Sequence, residues 1–253
     1  MKPYFGRLAI TIAFVAFISG CSKKDVLSGV TTGNTENTKA TGASANDLLS
    51  ASKYTSIKIE IQYMPLYPPD PGAISNLVNF FNSFCNKPGG ITVVQSMIPS
   101  GGKTIYTLDD VVAIEKSNRT VFTTGTQIGM NLIYVDGNYT EANVLGFAYR
   151  NTSMCLFGKT LSENSGGIGR PTRLQLESTI LEHEGGHLLG LVNLGSAMQT
   201  NHEDATHVKH CNNNHCLMYY ATETTGITGT IMSGGIPTLD ANCRADLTAN
   251  GGK

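Results

Sequence analysis

Two histidines and a glutamate, spaced H-E-x-x-H as His183, Glu184 and His187, constrain this chain more than any other feature. They stand inside L-Q-L-E-S-T-I-L-E-H-E-G-G-H-L-L-G-L, a run with helical periodicity. Residues four apart lie one turn apart on one face of a helix, so both imidazoles project the same way. Two such nitrogens can grip one zinc ion at about 2.0–2.1 Å. Glu184 is not a ligand; it lies beside the metal, where its carboxylate can take a proton from water. Leu176 and Ile180 share the face of the two histidines, which makes the metal face continuous with the buried stripe. Gly185 and Gly186 each cost up to about 1 kcal/mol in a helix interior relative to alanine. Their presence implies close packing against the helix, or room kept beside the metal.

Upstream of this helix the chain alternates between elements. Tyr54 to Met64 reads as a strand from its β-branched alternation, and Y-P-P-D-P-G then breaks the chain. Ala73 to Phe84 carries an apolar stripe of Ile74, Leu77, Val78, Phe81 and Phe84, which predicts a helix. Ile91 to Ile98 is a second strand. Leu108 to Ser117 is a short helix opened by Thr107 and two acids near its positive end. Further strands are predicted at Asn131–Val135, Val144–Tyr149 and Met154–Phe157. The motif helix starts near Pro171 or Thr172, where a first-turn proline is tolerated. This order predicts an α+β fold: a mixed sheet covered by helices, with an irregular C-terminal subdomain.

Residues 1–20 have the shape of a secretory signal: Lys2 and Arg7, an apolar run, then Ile18-Ser19-Gly20 before Cys21. The ending resembles a bacterial lipobox, which implies cleavage before Cys21 and its lipidation. Residues 21–50 are rich in Ser, Thr, Asn and Gly and read as a flexible tether. Residues 51–253 form one folded domain. The expected setting is the bacterial cell envelope (outer membrane, periplasmic or surface-facing), reached through the lipid anchor. A net charge of −1 and no basic stripe argue against nucleic-acid partners. A monomer is expected.

Five cysteines remain after Cys21: Cys85, Cys155, Cys211, Cys216 and Cys243. An oxidising compartment permits disulfides. Cys211 and Cys216 are close enough in sequence for a local clip, and Cys85 with Cys155 is a long-range pairing that would leave Cys243 free. A cysteine-rich zinc site is the competing use. Four of the six histidines fall between His202 and His215, which points to a metal rather than to a plain polar loop.

Catalytic zinc usually has three protein ligands, so a third must be found. Gly190 follows His187 by three residues, giving H-E-G-G-H-L-L-G; a glycine there lets the chain turn out of the helix. This stretch resembles the metzincin metallopeptidases, whose motif continues to a third histidine and later a methionine turn. The third position here is Asn193, a poor zinc ligand. Further on, His210-Cys211, Cys216 and Met218 give H-C-x4-C-x-M, which resembles the archaemetzincin branch. Asn193 to Lys209 then stand as an insertion before the third histidine. The resemblance implies a zincin-like fold and makes His210 the third ligand, with His202 and His207 as alternatives and His215 behind them. Glu203 or Asp204 would instead make a carboxylate-ligand site. Met218 becomes the methionine beneath the zinc, with Met232 as its alternative, and Tyr219 or Tyr220 a donor to a developing oxyanion. The branch's later C-x-x-C is missing, which speaks against a four-cysteine structural zinc and for the Cys211–Cys216 clip.

The function so implied is a zinc metalloendopeptidase acting on polypeptides, with Glu184 as general base. The resemblance also suggests Asn131–Val135 as the cleft edge on which an extended peptide would add as a strand. The alternatives are a non-catalytic binding lipoprotein on a degenerate scaffold and zinc scavenging by the histidine-rich segment.

Overall fold

The computed structural model describes residues 35–227, 231 and 235–253. Cys21, with the signal-like segment, and Met232 lie outside the described residues. Five strands form the main sheet: β1 (Ser56–Tyr63), β2 (Ile91–Met97), β4 (Gln127–Val135), β6 (Gly146–Arg150) and β7 (Ser153–Phe157), in the order β2-β1-β4-β7-β6. All neighbours run parallel except β6, which pairs antiparallel with β7. A second, two-stranded sheet joins β3 (Ile105–Tyr106) to β5 (Asn138–Tyr139).

The strand alternation that marked β1 decides its two faces. Ile57, Ile59 and Ile61 enter one core with Met130, Leu132, Tyr134, Met154 and Leu156. Helices α2 (Pro71–Phe84) and α5 (Arg173–Leu188) pack on that side through Leu77, Phe81, Leu176 and Ile180. On the opposite face, α3 (Leu108–Asn118) covers Ile133, Val135, Cys155 and Phe157 through Val111. Part of that face is polar. Glu60 accepts from the Thr120 and Val121 amides at 2.9 and 3.0 Å, and the buried Glu115 pairs with Arg119 at 2.6 Å and Arg150 at 2.8 Å.

β4 sits in the middle of the sheet, hydrogen-bonded to β1 on one side and β7 on the other. Asn131–Val135 therefore cannot accept an added strand, and the expectation of a cleft edge there is corrected. The sheet edge next to α5 is β6.

The folded unit also begins earlier than Ser50. Residues 35–49 contain a 3-10 turn (Thr35–Asn37) and helix α1 (Ala45–Leu49), whose Leu48 and Leu49 are completely buried in the main core. Asn37 is buried too; its Oδ1 accepts the Thr123 amide at 2.8 Å and its Nδ2 donates to Gly129 O at 2.9 Å. Lys87 ties the segment down by donating to the carbonyls of Asp47 (2.7 Å), Tyr54 (2.7 Å) and Ser50. Two leucines one residue apart suffice to dock a polar segment whose composition reads as a tether.

No cysteine among Cys85, Cys155, Cys211, Cys216 and Cys243 is disulfide-bonded. Cys85 belongs to the core under α2 and Cys155 to the core on the other face of the sheet, so the Cys85–Cys155 pairing is excluded by topology. The Cys211–Cys216 clip is likewise absent.

Among the described residues after α5, the named elements are short 3-10 turns at Tyr220–Glu223 and Thr225–Ile227 and helix α6 (Ala241–Ala249). A short helix α4 (Gly158–Glu163) precedes α5.

Candidate metal centre

Helix α5 starts at a capping box. The Thr172 side chain accepts from the Gln175 amide at 3.1 Å, and the Gln175 side chain accepts from the Thr172 amide at 3.0 Å. Glu177, one turn further on, is completely buried. It accepts from Asp70 N at 2.9 Å, from the Tyr134 hydroxyl at 2.7 Å and from Arg173. These bonds fix the register of α5 against the sheet and the start of α2. At the far end Gly190 takes φ +84°. A Cβ there would lie 2.5 Å from Ser196 N and 2.7 Å from the Ala45 side chain, so only glycine lets the chain turn out at this point.

His183 and His187 lie on the last turns of α5, and His210 returns from the following loop to join them. Their ligand-capable nitrogens lie within 4.8 Å of one another. The His183 and His210 rings are stacked, with centroids 5.4 Å apart, and His187 stands edge-on to both. Carbonyls settle the tautomers. His183 Nδ1 is 2.7 Å from Leu217 O, His187 Nδ1 is 3.1 Å from Leu191 O and His210 Nδ1 is 3.2 Å from Val208 O. A nitrogen facing a carbonyl carries the proton, which leaves the lone pair on Nε2. The His183 and His187 Nε2 atoms are only 3.1 Å apart. Two lone pairs at that distance repel unless a cation lies between them. Two nitrogens bound tetrahedrally to zinc at about 2.05 Å would be roughly 3.3 Å apart. The donor set therefore fits zinc in chemistry, tautomer and spacing. Burial first, then the neighbouring imidazoles, hold the His183 pKa well below its ordinary value, so the ring stays neutral and free to ligate.

Glu184 is completely buried, and its Oε2 accepts the Ala148 amide of β6 at 2.6 Å. This bond joins the motif helix to the sheet edge. The two helix glycines have different reasons. A Cβ on Gly185 would touch the Phe80 and Phe81 rings of α2 at 3.3 and 3.4 Å, whereas one on Gly186 would lie 2.4 Å from Met218 Sδ. Met218 thus lies against the motif helix, in the turn whose Leu217 carbonyl holds His183. Of the two candidate methionines, this places Met218 next to the histidines; Met232 is outside the described residues.

The remaining candidates lie elsewhere. Asn193 is exposed in the turn after Gly190, with φ +57°. His207 stacks on Tyr220 and pairs with Asp204 at 3.1 Å. His215 is exposed. Glu203 accepts the Lys209 amide at 2.7 Å. Tyr219 packs against Tyr220, with ring centroids 4.6 Å apart. His202 is buried and bonded to Asp246 at 2.8 Å, in a separate cluster with Cys211 and Cys243. Ala148 and Leu217 are site residues that sequence reasoning missed, because both act through backbone atoms that no side-chain pattern reports. A cavity of about 310 Å³ lined by Met64, Tyr106, Asp110 and Ile114 includes none of the three histidines.

No protein-family model matches the chain, and no curated protein matches it. Among solved structures, the chain is similar to the crystal structure of archaemetzincin from Methanopyrus kandleri, with a TM-score of 0.49 and 12% sequence identity, covering 79% of this chain and 96% of that one. A likeness of that degree says nothing about chemistry here, which rests on the side-chain geometry of this chain.

Proposed function

We propose that the chain is a zinc-dependent metalloendopeptidase that hydrolyses peptide bonds, with His183, His187 and His210 as ligands and Glu184 as general base. The observation that carries this reading is the convergence of the His183, His187 and His210 imidazoles beside the buried Glu184 carboxylate of the motif helix. Zinc held there supplies Lewis acidity toward water and the scissile carbonyl. Glu184 takes the proton from the attacking water and delivers it to the leaving amine. The Ala148 amide orients the Glu184 carboxylate. Leu217 and Leu191 hold His183 and His187 in the tautomer that offers Nε2. Strand β6, an edge strand tied to Glu184 through Ala148, is the surface on which an extended polypeptide would lie beside the base.

The signal-like segment and Cys21 support export and lipid anchoring at the cell envelope, and we include this in the proposal. Among the described residues no helix is long and apolar enough to cross a membrane.

The test is Glu184→Gln in the otherwise intact chain, assayed for zinc content and for cleavage of an unstructured polypeptide. Retained zinc with lost cleavage supports the reading. Retained zinc with cleavage as in the parent removes Glu184 from the mechanism, and a parent chain that binds zinc without cleaving anything favours a binding scaffold.

A further inference from the structure

The two edges of the main sheet are unequally protected. At one edge, β6 is broken by a bulge between Ala148 and Arg150, carries that arginine and is tied to α5 through Glu184. At the other edge stands β2, which keeps an unbroken register with β1 from Ile57 against Ile91 to Tyr63 against Met97. Natural sheets blunt a free edge with lysine, proline or a bulge. β2 contains none of these. No charged residue stands between Lys87 and Lys103, and Pro88 and Pro99 fall outside the strand. Among the described residues β1 is the one strand paired with β2.

The hydrogen-bonding direction of each β2 residue follows from the two ends of the strand. The Ile57 amide donates to Gly90 O at 3.1 Å, and the Ile98 amide donates to Tyr63 O at 2.9 Å. Gly90 and Ile98 therefore face β1, and by alternation so do Thr92, Val94 and Ser96. The backbone groups of Ile91, Val93, Gln95 and Met97 point the other way, off the sheet. Side chains alternate between the two faces as well. Ile91 and Val93 pack on the core beneath α2. Thr92, Val94 and Ser96 lie on the opposite face, and all three are exposed. Val94 is 39% and Met97 65% exposed, so two large apolar side chains stand in water on a strand whose edge is itself open.

We propose that β2 pairs antiparallel with β2 of a second copy of this chain, making one continuous sheet across a two-fold dimer. The strand complements itself about Val94. Centred there, Ile91 of each copy faces Met97 of the other and Val93 faces Gln95, so all four outward-pointing residues enter hydrogen-bonded pairs. A register centred on Val93 or Gln95 leaves an end residue unpaired. On the open face Val94 meets its own symmetry mate and Thr92 meets Ser96. On the other face Ile91 covers Met97. Helix α2, which flanks this edge, has no charged residue from Pro71 to Phe84, so it sets no like charges against each other across the axis. A two-fold contact requires a patch that matches itself, and this uncharged strand does so in both backbone and side chains. The dimer departs from the monomer expected from the sequence, and it leaves β6 and the metal centre at the opposite edge.

The test does not depend on peptidase activity. Sedimentation velocity of the full chain is expected to show a dimer that dissociates on dilution. Gln95→Pro removes an N–H that points off the sheet, so the ladder to β1 is untouched. Val94→Lys sets like charges opposite each other in the dimer alone. Both variants should keep the parent's far-UV circular dichroism and lose the dimer. Val94→Cys should form a disulfide-linked dimer on mild oxidation, above the parent's level, because a non-hydrogen-bonded antiparallel pair sets Cα atoms about 4.5 Å apart. Thr92→Cys should not, since it faces Ser96. A parent that stays monomeric as its concentration is raised overturns the proposal. So does a dimer that persists in both Gln95→Pro and Val94→Lys, which would place the contact elsewhere, such as the apolar run within residues 1–20. Cross-linking through Thr92→Cys in place of Val94→Cys overturns the register.

Discussion

Gly186 and Met218 occupy one space: a Cβ on Gly186 would stand 2.4 Å from the Met218 sulfur. The helix gives up the stability of an alanine so that the Leu217–Met218 turn can lie against it and present the Leu217 carbonyl to His183.

Gly186→Ala is therefore expected to destabilise the chain by about 1–3 kcal/mol through overpacking, despite alanine's higher helix propensity. Gly185→Ala, whose added methyl meets only ring edges at 3.3–3.4 Å, costs less. Met218→Ala in the Gly186→Ala background recovers part of the loss by vacating the space. Urea midpoints for the parent and the three variants check the order, and a Gly186→Ala chain as stable as its parent would contradict the contact.

The three loop histidines that compete for the third position differ in what their rings already do. His210 faces His183 and His187, whereas His207 lies on Tyr220. His210→Ala should weaken zinc binding at the histidine site by more than about 100-fold, beyond what losing an outer partner costs. His207→Ala should leave it within experimental error. Competition with a chromophoric chelator, run on the parent and on each variant, reads both. Equal affinities for the parent and His210→Ala would exclude His210.

Much of the fold was legible because its elements are locally determined. The alternation of Ile57, Ile59 and Ile61, the stripe of α2 and the Thr107 and Thr172 caps each report their element within a few residues. Sheet order was not legible: Asn131–Val135 reads the same at an edge as in the middle, since burial on both faces is decided by distant strands. His183, Glu184 and His187 were legible through helical spacing alone. His210 needed a family pattern, and the grouping of His202 with Cys243 spans 41 residues and had no local signal. Neither expected disulfide forms: closeness in sequence for Cys211 and Cys216 carries no information about sulfur geometry, and the sheet that separates Cys85 from Cys155 has no local signal.

Lys87 couples pH to the docking of the N-terminal segment. Burial pushes its ammonium down from 10.5 to about 8, while it donates to the carbonyls of Asp47, Ser50 and Tyr54. Between those two values the unfolded chain binds more protons than the folded one, so this residue makes stability rise with pH across that window. The rise should be roughly 1–3 kcal/mol and absent from Lys87→Met. Urea midpoints of parent and variant at both ends of the window isolate it from other titrating groups. Parallel pH dependence in the two chains would remove Lys87 as the cause.

The position at which the folded unit begins has a direct consequence for truncation. Leu48 and Leu49 are completely buried in the main core, and Asn37 satisfies buried groups on the strand side. Starting the chain at Thr35 removes none of these contacts, whereas starting it at Ala51 strips two leucines from the core and leaves Lys87 without the Asp47 and Ser50 carbonyls. Large-to-small replacement of one buried leucine typically costs about 2–5 kcal/mol, a large share of a domain's stability. Residues 35–253 are therefore expected to unfold cooperatively. Residues 51–253 should be aggregation-prone or lack a cooperative transition, and Leu48→Ala in the longer chain should fall between. A cooperative transition for residues 51–253 at the parent's midpoint would show that α1 contributes nothing to the fold.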